Sequence, residues 1–322
     1  MLADGEFHSG EVIARALGVS RGTVSNAVRA LVAAGLDIYS VKARGYRLAR
    51  PLLLLDADAI LQYAGRAAPR FSVEVIEITD STNTLLLERA AAGARDGTAL
   101  IAEWQRRGRG RMDRAWHAAL GSAITFSLLW RFSTGASALA GLSLAVGVAL
   151  TRALSKLGAP GVQLKWPNDV LWRDRKVAGV LIEMQGDALG PSTVVIGIGV
   201  NVRLSEALRD RIDQPVADLE TACGEVVDRN VAVGFILAEL AAMLDTFSSA
   251  GFAPFRDEWV AKHAFEGKHV NVTVPGGRDH AGVVRGVGHD GALLLETGGA
   301  TRRFHSAELS MRKASSGPQR AT

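Results

Sequence analysis

Gly108-Arg109-Gly110-Arg111-Met112-Asp113-Arg114-Ala115-Trp116 sets three arginines and two glycines in nine residues and closes on an indole ring. Glycine lets backbone N–H groups come close to a ligand where a Cβ would collide. Guanidinium groups add fixed forks of donors that match carboxylate and phosphate oxygens. The stretch therefore reads as a loop that holds an anion closely. It is not the dinucleotide fingerprint, because Asp113 stands where a third glycine is needed, and no Gly-Lys-Ser/Thr follows to make a Walker loop.

Other chemistry-bearing stretches accompany it in order. Asp80-Ser81-Thr82-Asn83 and Glu103-Trp104-Gln105 precede the loop. Lys165-Trp166-Pro167-Asn168-Asp169, Arg175-Lys176-Val177-Ala178-Gly179 and Gly197-Ile198-Gly199-Val200-Asn201 follow it. This ordered set resembles the biotin–protein ligase family, with its DSTN, GRGRxxRxW, KWPND, RKxAG and GxGxN motifs. The flanks Gly5 to Glu11 and Lys42 to Leu48 resemble the DNA-binding part of the bifunctional members that also repress biotin-synthesis genes.

The resemblance implies a two-step reaction. Biotin carboxylate attacks the α-phosphorus of ATP to give biotinyl-5'-AMP, and a carrier-protein lysine then attacks that anhydride. Two anions must be brought together and water excluded. The catalytic roles implied fall on Lys176, Arg111 and Arg109. Biotin contacts fall on Ser81, Thr82, Asn83, Gln105, Arg109, Gly110, Arg111 and Lys176, with Trp104 or Leu128 as candidates to line an apolar slot. Nucleotide contacts fall on Lys165, Asn168, Asp169, Asn201, Trp116 and Arg312, and Asp169 is the candidate ligand for Mg²⁺. The partners implied are the biotin carboxyl carrier protein of acetyl-CoA carboxylase or another biotin-dependent carboxylase, operator DNA, and a second copy on adenylate binding. Two alternatives stand beside this reading: a ligase whose DNA-binding role is lost, and a lipoate-type ligase.

The elements that must carry these residues can be read from caps and periodicity. Residues 9–48 predict two helices, capped by Ser9 and Ser20, and a basic hairpin tip at Lys42-Ala43-Arg44-Gly45, the pattern of a winged helix-turn-helix. Arg21, Ser25, Asn26, Arg29, Lys42 and Arg44 are its candidate DNA contacts. Only Met1 to Gly5 precede Glu6, too few for the helix that bifunctional members carry there, so this unit is expected to lack its first helix. Residues 70–205 alternate short β-branched runs with helical segments and predict a mixed sheet with helices on one face, the class II synthetase-like biotin/lipoate ligase fold. A single long helix is expected over 139–157. Past Phe265, short strands split by glycine-rich turns predict a small SH3-like barrel. The expected organisation is α+β, with units at 1–50, 51–265 and 266–322.

Composition agrees and excludes other classes. The chain has 322 residues, 48% hydrophobic and 22% charged, as in globular proteins of two or three domains. One cysteine, Cys223, excludes an intrachain disulfide and fits a reducing cytoplasm. The apolar stretch from Ala138 to Leu150 is cut short by Arg152 and Lys156, so a buried core helix is expected rather than a membrane span. Residues 1–50 hold seven Lys/Arg against four Asp/Glu, which concentrates positive charge in the unit expected to meet DNA.

Overall fold

The computed structural model describes residues 1–186, 190–273, 279–305 and the backbone of 310–313. The N-terminal unit opens with a 3₁₀ turn, Leu2–Asp4, followed by α1 (Gly10–Leu17), α2 (Arg21–Ala33) and a two-stranded wing, β1 (Ile38–Val41) and β2 (Gly45–Leu48). Ser9 Oγ accepts from Val12 N and Ser20 Oγ from Thr23 N, so both predicted caps form. Ile13, Ala14, Val24 and Val28 make a small core on which Leu2, Ile38 and Tyr46 pack. Val12 and Leu17 are exposed.

The central unit runs through α3 (Ala57–Ala64), β3 (Ser72–Thr79), α4 (Thr82–Ala91), β4 (Thr98–Gln105), β5 (Gly108–Arg109), β6 (Ala115–Trp116) and β7 (Ala123–Phe132). It continues with α5 (Leu142–Lys156), β8 (Val162–Lys165), β9 (Asp169–Trp172), β10 (Arg175–Gly186), β11 (Ser192–Asn201), α6 (Glu206–Arg209), α7 (Leu219–Cys223), α8 (Arg229–Ala250) and α9 (Arg256–Ala261). Seven strands form one sheet in the order β3-β4-β7-β11-β10-β9-β8. Only β3 and β4 pair in parallel; the other neighbours are antiparallel.

Strand alternation decides what each face buries. Ile101, Phe126, Leu128 and Ile196 point to the large core shared with Ile60, Leu150 and Leu237 of α3, α5 and α8. Their neighbours Leu100, Leu129 and Val195 point the other way, onto Leu86 of α4. The helices are therefore not confined to one face, as the sequence pattern suggests; α4 lies across the opposite one. The expected long helix over 139–157 is also broken. A 3₁₀ turn, Ala136–Leu139, precedes Gly141 at φ 82°, and α5 starts after it. A Cβ on Gly141 would lie 2.7 Å from Phe252, so no side chain fits at this left-handed cap.

Two helical stretches, Ala136–Lys156 and Arg229–Ala250, are long and apolar enough to cross a membrane, but most of each is buried against the sheet. The last unit holds β12 (His269–Thr273), β13 (His280–Val287), β14 (Leu293–Thr297), β15 (Ala300–Phe304) and β16 (Ser310–Lys313). They form an antiparallel sheet in the order β15-β14-β13-β12-β16; β16 is a strand that spacing did not reveal. Its core residues Val270, Leu293 and Phe304 belong to the same cluster as the central core. Trp166, fully buried, ties the two units by donating from Nε1 to Gly291 O at 3.1 Å.

The N-terminal and central units are joined by a pinned segment. Arg229 Nη2 donates to Leu53 O, Asn230 Nδ2 to Leu54 O, Leu55 N to Glu103 Oε1 and Asp56 N to Asn230 Oδ1. Arg229 and Glu103 form a buried ion pair at 2.8 Å beneath this segment.

Candidate functional site

A pocket opens on the α4 side of the sheet, where β10 and β11 carry glycine instead of side chains at Gly179, Gly197 and Gly199. Gly197 lies between Ser127 of β7 and Leu181 of β10, and Gly199 between Thr125 and Gly179. The floor is bare for a steric reason. A Cβ on Gly197 would come within 2.2 Å of Asn83 Oδ1, and one on Gly199 within 2.5 Å of the Trp116 ring. The glycines of the Ala-Gly and Gly-x-Gly-x-Asn motifs thus make room for residues of two other motifs.

One end of the pocket is neutral and polar. Ser81, buried, caps α4 through Thr84 N. Thr82 N donates to Gln105 Oε1 at 2.7 Å, and the Thr82 hydroxyl stands 3.0 Å from the same oxygen. Ser127 Oγ lies 2.7 Å from Thr82 Oγ1 and 2.5 Å from Asn83 Oδ1. Asn83 Nδ2 donates to Glu183 Oε2 at 2.8 Å. Arg109 Nη2 also reaches Glu183, 3.0 Å from either carboxylate oxygen, and donates to Thr84 Oγ1. Glu183 was not singled out in the sequence, yet it takes up the charge of Arg109.

The other end is cationic. Lys176 Nζ lies 2.6 Å from Asp169 Oδ1, with both side chains largely buried, and 5.5 Å from the centre of the Trp116 ring. A register shift between Lys176 and Ala178 in the β9–β10 pairing re-aims the lysine toward the pocket. Its backbone is held from outside the sheet, since Lys176 N donates to Pro215 O and Ala217 N to Lys176 O. The turn before it, Arg173 and Asp174, has φ of 49° and 61°, the two left-handed residues of a tight hairpin.

Arg111 follows the β5 strand in a 3₁₀ turn, half-buried, with Gly110 N donating to Arg114 O at 2.7 Å across the loop. Burial pushes its guanidinium below the usual arginine value, while the nearby Asp169 carboxylate pulls it back up. Asp169 therefore stands within the field of two cations. Gly110, Arg111, Trp116, Asn168 and Lys176 all line the pocket together with Ser81, Thr82, Asn83, Gln105 and Arg109.

Three residues sit differently from the sequence reading. Asn201 Nδ2 donates to Lys176 O and Ala217 O, behind the lysine rather than in the pocket. Leu128 faces the α5 core, and Trp104 turns away to donate from Nε1 to Ala118 O; Leu181 and Trp116 are the apolar walls instead. Lys165 stands opposite Asp169 in the β8–β9 register. The side chain of Arg312, on β16, lies outside the described residues. Among the described residues no three metal-ligating side chains cluster, and Asp169 is one carboxylate already shared with Lys176.

On the N-terminal unit, Arg21, Ser25 and Arg29 follow one stripe of α2, and Arg29 donates to Asn26 Oδ1. Lys42 and Arg44 are exposed on the wing, where Arg44 stacks 4.2 Å over Phe7. The end of α2 touches the central unit: Leu120 N donates to Ala34 O at 3.0 Å.

Comparison with known proteins matches each unit. Family models for the Biotin/lipoate A/B protein ligase family, an HTH domain and the Biotin protein ligase C terminal domain cover residues 75–201, 1–47 and 266–312. The chain is 37% identical over 314 residues to the Bifunctional ligase/repressor BirA of Escherichia coli, covering 98% of this chain and 96% of that protein. It is 36% identical over 245 residues to the Biotin--[acetyl-CoA-carboxylase] ligase of Mycobacterium tuberculosis, covering 74% of this chain and 89% of that one. The solved biotin protein ligase from Aquifex aeolicus in complex with biotin and ATP superposes with a TM-score of 0.65 at 28% identity, covering 76% of this chain and 99% of that chain. With alignment to bifunctional ligase/repressors over nearly its whole length and a matching model for each unit, the chain belongs to the biotin–protein ligase family.

Proposed function

We infer that this chain joins biotin to a specific lysine of a biotin carboxyl carrier protein, using ATP and releasing AMP and pyrophosphate. The observation that carries this reading is the pocket's division. Lys176, paired with Asp169, and the cation Arg111 line the pocket at one end, while hydroxyl and amide groups gather at the other. Biotin has the complementary plan, with a neutral urea ring at one end and a carboxylate at the other.

In the first step a biotin carboxylate oxygen forms a bond to the α-phosphorus of ATP, and pyrophosphate leaves. Lys176 and Arg111 offset the repulsion between the two anions, each charged hydrogen bond contributing roughly 1.5–3 kcal/mol when desolvated. An incoming anion competes with Asp169 for Lys176, so the internal ion pair keeps the lysine in place until substrate arrives. Arg109, held by Glu183, acts as a positioning residue, and Asn201 acts through the backbone of Lys176. Asn168, Trp116, Lys165 and Arg312 are the proposed nucleotide contacts. Mg²⁺ neutralises phosphate charge; in this chain Asp169 is its proposed protein ligand, and the phosphates would supply most of the rest. In the second step the carrier lysine's neutral amine attacks the acyl carbon, AMP leaves and the amine gives up a proton.

The test is incubation with biotin, MgATP and a carrier domain. The carrier should gain one biotin by mass, and lipoate should give no product. Absence of the mass shift beside an active control ligase overturns the assignment.

The HTH match and the likeness to bifunctional ligase/repressors support a second role as a biotin-responsive repressor of biotin-synthesis genes; dimerisation on adenylate binding is a further part of this proposal. The proposed units are 1–50 for DNA, 51–265 for ligation and 266–322 as a cap. Arg21→Ala and Arg29→Ala should each lower operator affinity and flatten its salt dependence by about one unit of slope. Equal affinity for operator and unrelated DNA would remove this role.

A further inference from the structure

The wing of the N-terminal unit has a third stretch of chain beside its hairpin. His8 N donates to Tyr46 O and Tyr46 N to His8 O, each at 2.9 Å, so the segment before α1 runs antiparallel along β2. Gly45 permits this approach: its φ is 101°, and a Cβ there would come within 2.1 Å of His8 O. The segment delivers Phe7 to the wing. The Arg44 guanidinium lies 4.2 Å and the Arg47 guanidinium 4.9 Å from the centre of its ring. Tyr39, opposite Arg47 in the β1–β2 register, sets a second ring 5.3 Å from Arg47.

Two like charges gathered at one ring repel each other, and no carboxylate balances them. Among the described residues neither guanidinium forms an ion pair or a hydrogen bond, and Arg47 Nε is buried without a partner. The acid groups of the same segment are turned to other uses or left apart. Asp4 takes His8 Nε2 at 2.7 Å and Glu6 N at 3.0 Å, and Glu6 bonds to neither arginine. A ring face holds a guanidinium without using its N–H donors, which a carboxylate partner would occupy. The wing therefore presents two aimed cations with their donors still free, an arrangement that an anion from outside would relieve.

We propose that Phe7 and Tyr39 position Arg44 and Arg47 as a paired clamp for one phosphate of the DNA backbone. The proposal rests on the repressor reading. It adds Arg47 to the DNA contacts and makes the two rings positioning residues, since they act through the arginines. A phosphodiester fits because its two free oxygens can each take one guanidinium. Such a contact sets the register of the wing on the duplex and carries no sequence preference of its own.

The test is an anisotropy titration of a labelled mixed-sequence duplex by the whole chain, with biotin and MgATP, over about 50–200 mM salt. Arg44→Ala combined with Arg47→Ala should lower the salt slope by about one unit, the loss of one phosphate contact. Phe7→Leu should weaken binding roughly 3- to 10-fold, the size of two exposed cation–ring contacts. Phe7→Tyr, which keeps the ring, should bind as wild type. Added to the double-alanine variant, Phe7→Leu should cost nothing more. An equal loss there would show that the ring only supports the fold, and overturns the proposal. So does an unchanged slope in the double-alanine variant, or a Phe7→Tyr variant as weak as Phe7→Leu. Should Phe7→Leu fail to fold, the slope of the double-alanine variant decides. Wild-type protein that binds no duplex at the lowest salt overturns the repressor reading instead.

Discussion

Lys176 Nζ and Asp169 Oδ1 sit 2.6 Å apart across the β9–β10 hairpin, both largely buried, so the charge of the lysine is balanced inside the protein. Removing one member of such a pair leaves the other without its partner. Lys176→Ala should cut adenylate formation by about 100-fold or more, the loss expected for a group stabilising transition-state charge. Transfer from pre-formed biotinyl-AMP should fall far less. Single-turnover assays of the two half-reactions separate these effects, and equal loss in both would assign the lysine to folding rather than to the first step. Lys176→Arg is not a neutral control, since a planar fork cannot replace a point charge.

Arg111 is half-buried beside Met112, whose φ of 54° makes the turn tight. Arg111→Gly removes a charged contact and frees the backbone, so the adenylate should escape before transfer. The expected readout is increased biotin labelling of an added bystander protein while adenylate is still made. An unchanged bystander signal contradicts the containing role of this loop.

Gly199→Ala places a methyl group 2.5 Å from the Trp116 ring. The indole must move, and the β5–β6 loop that carries Arg111 moves with it. Ligand affinity should fall at least about 10-fold, with circular dichroism unchanged. Retained affinity would show that the ring's position does not matter to binding.

Glu103→Ala would strand the Arg229 guanidinium, which is 4% exposed, and leave Leu55 N without its acceptor. A broken buried pair costs about 3–5 kcal/mol. Denaturant unfolding should register this loss, and a change under about 1 kcal/mol would mean that the pair adds little.

His263 gives a pH dependence. Its ring is buried against Trp259 at 4.4 Å between centroids, and neither ring nitrogen has a hydrogen-bond partner among the described residues. Burial pushes its pKa below 6.5, with Glu266, 3.7 Å away, only partly opposing. The unfolded chain then binds the proton more readily than the folded one. Stability from this group is complete above about pH 6.5 and is lost as pH falls below it toward the folded value. Thermal midpoints between pH 7.5 and 5.5 should fall less in His263→Phe than in wild type. Identical slopes would remove His263 as the cause.

The motif residues were legible because each carries its chemistry in its own type. Ser81, Thr82, Gln105, Arg111, Asn168 and Lys176 were placed by sequence in one site, and all line one pocket. Glu183 was not legible, because strand parity misleads here. The register shift after Lys176 puts the lysine on the same side as Gly179, Leu181 and Glu183, so counting by twos from 176 selects the wrong residues. The same one-residue sensitivity explains Leu128, which faces the core while its neighbour Ser127 faces the pocket. The start of α5 after Gly141 rests on one glycine's left-handed φ of 82°, which the helical periodicity of the flanking residues does not report.

The contact between α2 and the loop after Trp116 has a consequence for how this chain can be divided. Ala119 Cβ fills the space that a side chain on Gly35 would need, 2.5 Å from its Cβ position, and Leu120 N is satisfied only by Ala34 O. Cutting after Arg50 would therefore not release a finished ligase. It would uncover a backbone donor four residues from Trp116 and leave the ligand loop to find a new support. Gene fusions, truncations and domain swaps at this boundary act on the pocket wall itself, however separable the two units look in sequence.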